Sequence, residues 1–159
     1  MHTFTGKPIG LIHTPFREAA GTPIQPVFAG DAEGEVAVFE DVLEGLLDLE
    51  GFERIWLIYA FHRAGPARLR LVPFLDTVER GVFATRAPSR PNSIGLSCVR
   101  LISITGRRLR VAGVDVLDGT PLLDIKPYVP AFDAHPTSRA GWLDAARAKR
   151  TRADARFAG

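Results

Sequence analysis

The stretch LSCVRLISITGRRLRVAGVDV, residues 96–116, decides the fold because it reads as two strands joined by a tight turn. In Arg108-Leu109-Arg110-Val111 apolar residues alternate with arginines, as expected of a strand with one buried and one solvent-facing side. The turn, Ser103–Arg108, has Gly106 near its centre. We therefore predict an antiparallel pair made of Leu96–Ile104 and Arg107–Val116.

More candidate strands precede this pair. Glycine and proline, 15 and 12 of the 159 residues, divide the chain into short segments. The predicted strands are Ile9–His13, Glu35–Phe39, Arg54–Phe61, Arg68–Val72 and Gly81–Thr85. The chain shows neither the alternation of strands and helices nor the G-x-G-x-x-G motif of doubly wound nucleotide-binding folds. The predicted fold class is therefore mainly β, a small antiparallel β-barrel with one or two flanking helices.

Two helices are predicted beside the barrel. Asp41–Leu49 begins near an acidic cap and carries a stripe of apolar residues. That stripe consists of Val42, Leu43, Leu46, Leu47 and Leu49. Ser138–Arg156 would turn Trp142, Leu143 and Ala146 inward and its basic residues outward. We expect a barrel domain over residues 1–136 and a basic helical tail over residues 137–159.

Composition excludes several classes of protein. With 46% hydrophobic and 24% charged residues the chain can bury a core, which excludes wholesale disorder. Its longest apolar run, Ile55–Phe61, is too short to span a membrane, and no signal-peptide pattern opens the chain. The single cysteine, Cys98, excludes an intramolecular disulfide and is expected in the core. These features favour a cytoplasmic protein without membrane contact.

Charge and histidine spacing bear on the ligands. Residues 137–159 hold six basic and two acidic side chains, whereas residues 1–136 hold 14 basic and 16 acidic ones. This tail permits an anionic partner such as RNA. The four histidines, at positions 2, 13, 62 and 135, do not have the spacing of metal ligands, so no metal is expected.

Polar loops supply the candidate binding residues. Residues 86–97 hold two arginines, Arg86 and Arg90, in a segment stiffened by Pro88 and Pro91, which suits carboxylate or phosphate recognition and equally suits a solvated turn. Asp118–Pro121 reads as a tight turn that is structural by default and can also hold a ligand. Asp124 and Lys126 share one strand face, which favours a salt bridge between them.

Five motifs, read together, resemble the TsaA/TrmO-like family. They are IGLIHTPF (residues 9–16), PIQP (23–26), IWLIYAFH (55–62), GVFATRAPSRPNSIGLS (81–97) and DGTPLLDIKPY (118–128). They follow the family's order from about residue 8 to residue 133. The chain departs from the pattern at Thr14, Ile24 and Ser93, where the family has serine, arginine and proline, and it lacks the C-terminal domain of longer members.

The resemblance implies a homodimeric β-barrel enzyme that uses S-adenosylmethionine (SAM). Its reaction would be methylation of N6 of threonylcarbamoyladenosine at position 37 of tRNA. Carried over by position, the implied cofactor-binding residues are Gln25, Pro26, Val27, His62, Arg63, Arg86, Leu96, Asp118, Gly119, Thr120 and Pro121. The residues expected to bind the tRNA substrate are Arg90, Asn92, Lys126 and Tyr128.

Chemical roles can be attached to a few of these residues. Arg86 would pair with the SAM carboxylate, and Asp118 with its amine or a ribose hydroxyl. His62 or Asp118 would take the proton from the acceptor nitrogen. The basic residues of the tail, either an RNA arm or a solvated face, are Arg147, Lys149, Arg150, Arg152 and Arg156.

Two other functions fit the same residues. One keeps the SAM site and changes the acceptor to another RNA or a small molecule. The other is a non-enzymatic SAM-sensing or RNA-binding barrel, which would bind the cofactor without turnover.

Overall fold

The structure, a computed structural model, describes residues 4–146 and 149–159. Its strands are β1 Gly10–His13, β2 Glu33–Val38, β3 Arg54–Ala60, β4 Arg70–Leu71, β5 Arg80–Gly81, β6 Ile94–Thr105, β7 Arg108–Ala112 and β8 Thr120–Pro127. Six of them close a barrel in the order β1-β2-β7-β6-β3-β8, with every neighbouring pair antiparallel. The small strands β4 and β5 pair with each other outside it. The predicted antiparallel barrel is confirmed.

The β6–β7 hairpin is confirmed as well. Thr105 pairs with Arg108 across a turn in which Gly106 has a φ of 56°, a conformation that favours glycine. Leu109 and Val111 are fully buried, while the Arg108 and Arg110 side chains pair with Glu35 and Glu33 on the outer face of β2. Strand β7 is shorter than predicted, because the chain turns away from the sheet at Gly113, where φ is 88°.

The barrel interior is filled by side chains that alternate along each strand. They are Ile12, Val36, Val38, Ile55, Leu57, Tyr59, Val99, Leu109, Val111 and Leu122. A smaller apolar cluster lies outside the barrel and joins the β4–β5 region to the chain terminus. It consists of Leu71, Val82, Ala87 and Phe157, with Phe74 packed against them.

Several local predictions are wrong. Of the residues predicted as strands over 68–72 and 81–85, only Arg70, Leu71 and Gly81 belong to strands, in β4 and β5, and Val82–Ala84 is a 3-10 turn. The α-helix predicted over Asp41–Leu49 is a pair of 3-10 segments, Glu40–Leu46 and Leu49–Gly51, and its Leu47 is 81% exposed. Cys98 is half-buried on the outer barrel face, because inward positions on β6 are taken by Ser97 and Val99.

The predicted helix over Ser138–Arg156 is also wrong. A short α-helix, α1 Pro130–Asp133, follows β8, and 3-10 turns occupy Pro26–Phe28, Gly141–Ala145 and Ala155–Phe157. Leu143, predicted to face inward, is 44% exposed. Residues 151–159, which we call the C-terminal strap, run back along the barrel and pair with residues 23 and 64. In the part of the chain that the structure describes, no helix has the length and apolar character needed to cross a membrane.

Candidate functional site

A cavity of about 960 Å³ opens at the end of the barrel where β3 finishes and where β6 and β8 begin. Its walls come from the loop before β2, the end of β3, the loop 83–92, the segment after β7 and the strap. A space of this size accommodates a nucleoside-sized ligand. The exposed surface of the cavity is mostly apolar, with a few polar groups converging on it.

The cavity is lined by nine of the fifteen residues predicted to bind SAM or tRNA. Those lining it are Gln25, Val27, His62, Arg63, Arg86, Arg90, Asn92, Leu96 and Thr120. The residues that do not line it are Pro26, Asp118, Gly119, Pro121, Lys126 and Tyr128. Of these, Pro26 lies in an adjoining groove of about 500 Å³, which shares Arg86 and Leu96 with the cavity.

The two arginines of the loop between the 3-10 turn Val82–Ala84 and β6 make different contacts. The Arg86 guanidinium donates a 2.7 Å hydrogen bond to Oε1 of Gln25, and this bond fixes the guanidinium in the cavity wall. The Arg90 guanidinium donates to the backbone carbonyls of Thr85 and Ala87, at 3.1 and 3.2 Å. Arg90 therefore braces the loop, and Arg86 is the arginine better placed to meet an anionic ligand group.

The Asp118 side chain contacts the end of β1 and the loop that follows it. Its Oδ1 accepts from the Thr14 backbone N–H at 3.1 Å and lies 3.3 Å from Nδ1 of His13, while Oδ2 lies 3.7 Å from Arg17. Partial burial alone would raise its pKa, but the hydrogen bonds from Thr14 and His13, with Arg17 nearby, hold the pKa of Asp118 below its ordinary value. A carboxylate held in this way is a weak base, so the chemistry argues against Asp118 as proton acceptor.

His62 lies at the cavity mouth, immediately after β3. Partial burial and the neighbouring Arg63 guanidinium lower the pKa of the imidazole. The ring is therefore neutral at pH 7 and can accept a proton.

Lys126 and Tyr128 lie toward the opposite end of the barrel. Lys126 pairs with Trp56 in register and its Nζ forms the predicted salt bridge with Asp124, at 2.9 Å. The Tyr128 ring packs edge-on against Trp56 with 5.8 Å between centroids. Lys126 lies four positions along the strand from Leu122, which is about 13 Å at the usual rise per residue.

A polar network that no sequence motif indicates lies at the cavity floor. Ser97 Oγ donates a 2.5 Å hydrogen bond to Oδ1 of Asp115, and the Tyr59 hydroxyl lies 2.9 Å from Ser97 Oγ. Tyr59 and Asp115 both line the cavity. The available signal was an acidic residue inside the apolar run Val111–Val116, where alternation alone predicts a strand.

The strap is a second feature of the site that was not predicted from the sequence. Its backbone pairs with the loop before β2 through Gly21 N to Ala153 O, Ala153 N to Thr22 O and Ile24 N to Thr151 O, at 2.9, 2.7 and 3.0 Å. On its other side Gly65 N donates to Phe157 O and Gly159 N to Arg63 O, at 2.9 and 3.0 Å. Ala153, Asp154, Phe157 and Ala158 thereby form part of the cavity wall.

The basic side chains predicted as an RNA arm are partly engaged within the protein. Arg150 and Arg156 both bond the Asp154 carboxylate, and Arg152 donates to the Gly21 carbonyl at 3.3 Å. Lys149 is exposed, and Arg147 lies outside the described residues. Among the described residues no group of three or more metal-ligating side chains comes together, and His2 lies outside them.

These features define a class, a small closed antiparallel barrel with a nucleoside-sized cavity at one end. The model of the tRNA-methyltransferase O N-terminal domain matches residues 11–134. The chain belongs to that family.

Known proteins of similar sequence and structure agree. A probable S-adenosyl-L-methionine-binding protein of Pyrococcus abyssi is 52% identical over 153 residues, covering 95% of this chain and 83% of that protein. A tRNA (adenine(37)-N6)-methyltransferase of Mus musculus is 35% identical over 135 residues, covering 80% of this chain and 31% of that protein. The crystal structure of TrmO from Pseudomonas aeruginosa superposes with a TM-score of 0.77 at 43% identity, covering 91% of this chain and 65% of that one.

Proposed function

We propose that this chain is a SAM-dependent methyltransferase that methylates N6 of threonylcarbamoyladenosine at position 37 of tRNA. The observation that carries the proposal is the cavity, which gathers Gln25, His62 and Arg86 at the barrel end of a chain belonging to the tRNA-methyltransferase O family. The likeness to a SAM-binding protein over 95% of the chain supports the donor. The likeness to a tRNA (adenine(37)-N6)-methyltransferase supports the acceptor.

The cavity residues fit the chemical groups of SAM. Arg86, braced by Gln25, presents a planar guanidinium suited to a carboxylate. Apolar side chains such as Phe61 and Leu117 provide a surface for a nucleoside. When bound, SAM supplies a methyl group whose transfer to N6 leaves an electron pair on sulfur and releases the N6 proton.

The contributions of the chain are positioning and proton acceptance. The rigid barrel end and the braced loop hold the two reactants in one orientation, which supplies much of the acceleration in an in-line displacement. The neutral His62 imidazole at the mouth takes the proton that leaves N6. The acceptor nitrogen belongs to a urea-like group with a delocalised lone pair, so removal of its proton raises its reactivity.

A homodimer is part of the proposal. Val27 and Phe83 border the cavity and are 80% and 77% exposed, and Ile94 and Leu96 on the adjoining strand are also exposed. Apolar side chains clustered around one opening favour a protein partner that covers them. Light scattering of the purified protein tests this: twice the mass of the 159-residue chain supports it, and a monomer at micromolar concentration contradicts it. We also propose a cytoplasmic location, which the proposed tRNA substrate supports.

Methyl transfer is tested with tRNA that carries the threonylcarbamoyl group and with matched tRNA that lacks it. Transfer from SAM only to the modified tRNA is the expected result. Transfer to both tRNAs or to a small molecule would overturn the proposed acceptor and keep the SAM site. Saturable binding of SAM without S-adenosylhomocysteine (SAH) production would point to the non-enzymatic alternative.

A further inference from the structure

Asp115 has an acidic side chain in the cavity wall that the sequence motifs do not assign. It lies on the segment that leaves β7, and its Oδ1 accepts the 2.5 Å hydrogen bond from Ser97. Because the Ser97 proton points to Asp115, the Tyr59 hydroxyl donates to Ser97 Oγ, at 2.9 Å. Ser97 and Tyr59 are 2% and 3% exposed, so the carboxyl group is held from behind by a buried and rigid pair.

The charge of this group is not balanced by an ion pair. Within the described residues, ion pairs join Asp118, Asp124 and Asp154 to basic side chains, whereas none reaches Asp115. The Asp115 carboxyl faces the cavity, and Ser97 is its one side-chain hydrogen-bond partner among those residues. A carboxylate removed from bulk water without a partner is costly, and a cation brought by a ligand removes that cost.

Burial, opposed by two neighbouring groups, sets the protonation state of Asp115. Burial raises its pKa to about 7, although the Ser97 hydrogen bond and the Arg86 guanidinium act in the opposite direction. The groups that face it are Tyr59 on β3, Ser97 on β6 and Arg86 on the loop after Val82–Ala84. The pKa of Tyr59 is itself raised by burial and then by Asp115, so the phenol stays protonated and remains a donor. His62 also lines the cavity, and partial burial with the neighbouring Arg63 guanidinium lowers the pKa of its imidazole.

We propose that Asp115 binds a positively charged group of the methyl donor and so determines the specificity of the cavity for a cationic nucleoside. This inference rests on the proposed function, because the cation is a group of SAM. SAM carries two candidates, the sulfonium at the reacting centre and the ammonium of its amino acid part. Only the ammonium remains in SAH, the product, so the two ligands distinguish the two sources.

Pairing with a cation requires the ionised carboxylate. The affinity for SAM is therefore expected to rise as the pH increases from 6 to 8, and binding near pH 7 should release part of a proton. Replacement by asparagine keeps an oxygen for the Ser97 hydrogen bond and removes the charge. Asp115→Asn should thus lower SAM affinity about 10- to 150-fold at pH 8 and remove most of the pH dependence.

The test is calorimetric titration of the wild-type protein, Asp115→Asn and Asp41→Asn with SAM and SAH at pH 6, 7 and 8. Asp41 is the matched control, an exposed carboxylate paired with Lys7. Its replacement should change affinity less than twofold. Loss of affinity for SAM alone assigns Asp115 to the sulfonium, and loss for both ligands assigns it to the ammonium.

The titrations distinguish failure of the proposed function from failure of the proposed role of Asp115. No SAM binding by the wild-type protein would overturn the proposed function itself. Wild-type binding with unchanged affinity in Asp115→Asn would overturn the role of Asp115 alone. If Asp115→Asn does not fold, titrations of wild-type protein in two buffers of different ionisation enthalpy decide the question: proton release near pH 7 supports the inference, and proton-neutral binding overturns it.

Discussion

Removal of one aromatic ring from the strap provides a sharp test of the cavity. Phe157 is 4% exposed and packs with Leu71, Val82 and Ala87, and its ring meets that of Phe74 with 5.0 Å between centroids. Phe157→Ala should cost about 3–5 kcal/mol, the usual loss for a buried phenylalanine. The strap is tied to the barrel by its own set of hydrogen bonds, so we expect much of this loss to appear as detachment of the strap.

A loss of about 3 kcal/mol shifts the docking equilibrium of the strap by about 150-fold. Because Phe157 and Ala158 form cavity wall, a ligand that needs the docked state should bind more weakly by the detached fraction. We expect at least tenfold weaker SAM binding by calorimetry, and faster proteolysis near residues 149–159. Phe132→Ala is the matched control, since Phe132 is 74% exposed and should change stability by about 0.5 kcal/mol or less.

The measurement separates two roles of the strap. Lower thermal stability together with unchanged SAM affinity would refute the assignment of the strap to the ligand site and leave it a structural element. Deletion of residues 151–159 should weaken SAM binding more than Phe157→Ala does. Circular dichroism of the truncated protein checks that the barrel remains folded.

Three other predictions follow from single contacts. Arg86→Ala should weaken SAM binding about 10- to 150-fold by calorimetry, because a charge-assisted partner of the carboxylate is lost; an equal affinity would remove Arg86 from the site. Gly95→Ala should destabilise the barrel by about 1–3 kcal/mol in denaturant titrations, because a Cβ there would lie 2.1 Å from the Tyr59 ring. Gly45→Ala is the control and should not destabilise the protein, because there is open space around the new Cβ. Equal stability of the two variants would contradict the close approach of Gly95 to the Tyr59 ring. The contacts with Arg156 hold the pKa of Asp154 below its ordinary value, so docking of the strap should weaken only as the pH falls below about 4. Proteolysis of the strap measures this docking, and Asp154→Asn should remove its acid dependence.

The barrel was predictable because its strands alternate. In β7, buried Leu109 and Val111 lie between arginines that pair across to β2, and the turn at Gly106 fixes the register. Strand β8 is absent from the list of predicted strands because Pro121 and Pro127 bound the segment, although Asp124 and Lys126 were placed on one strand face and Leu122 is fully buried. The helix predicted over Asp41–Leu49 has the right apolar composition, but tertiary packing holds it as tight 3-10 turns.

The tail was the least predictable part, because its structure depends on partners distant in sequence. A basic segment with spaced apolar residues favours an amphipathic helix when only local spacing is considered. The strap is instead stabilised by backbone hydrogen bonds to residues 21–24 and 63–65 and by burial of Phe157, which a helix over these residues would not provide. Neither set of contacts leaves a periodic signal in residues 138–159.

The site shows how far a motif can locate a ligand. The resemblance assigned Asp118 within DGTPLLDIKPY, whereas the structure uses that carboxylate to join the loops at Thr14 and Arg17. Asp115, three residues earlier and outside the motif, faces the cavity because Ser97 on β6 holds its side chain there. A motif therefore identifies the segment that lies near the ligand, while the closure of the barrel decides which carboxylate of that segment meets it. If Asp118→Asn and Asp115→Asn are compared for SAM affinity, the larger loss in Asp115→Asn is the result that this geometry requires.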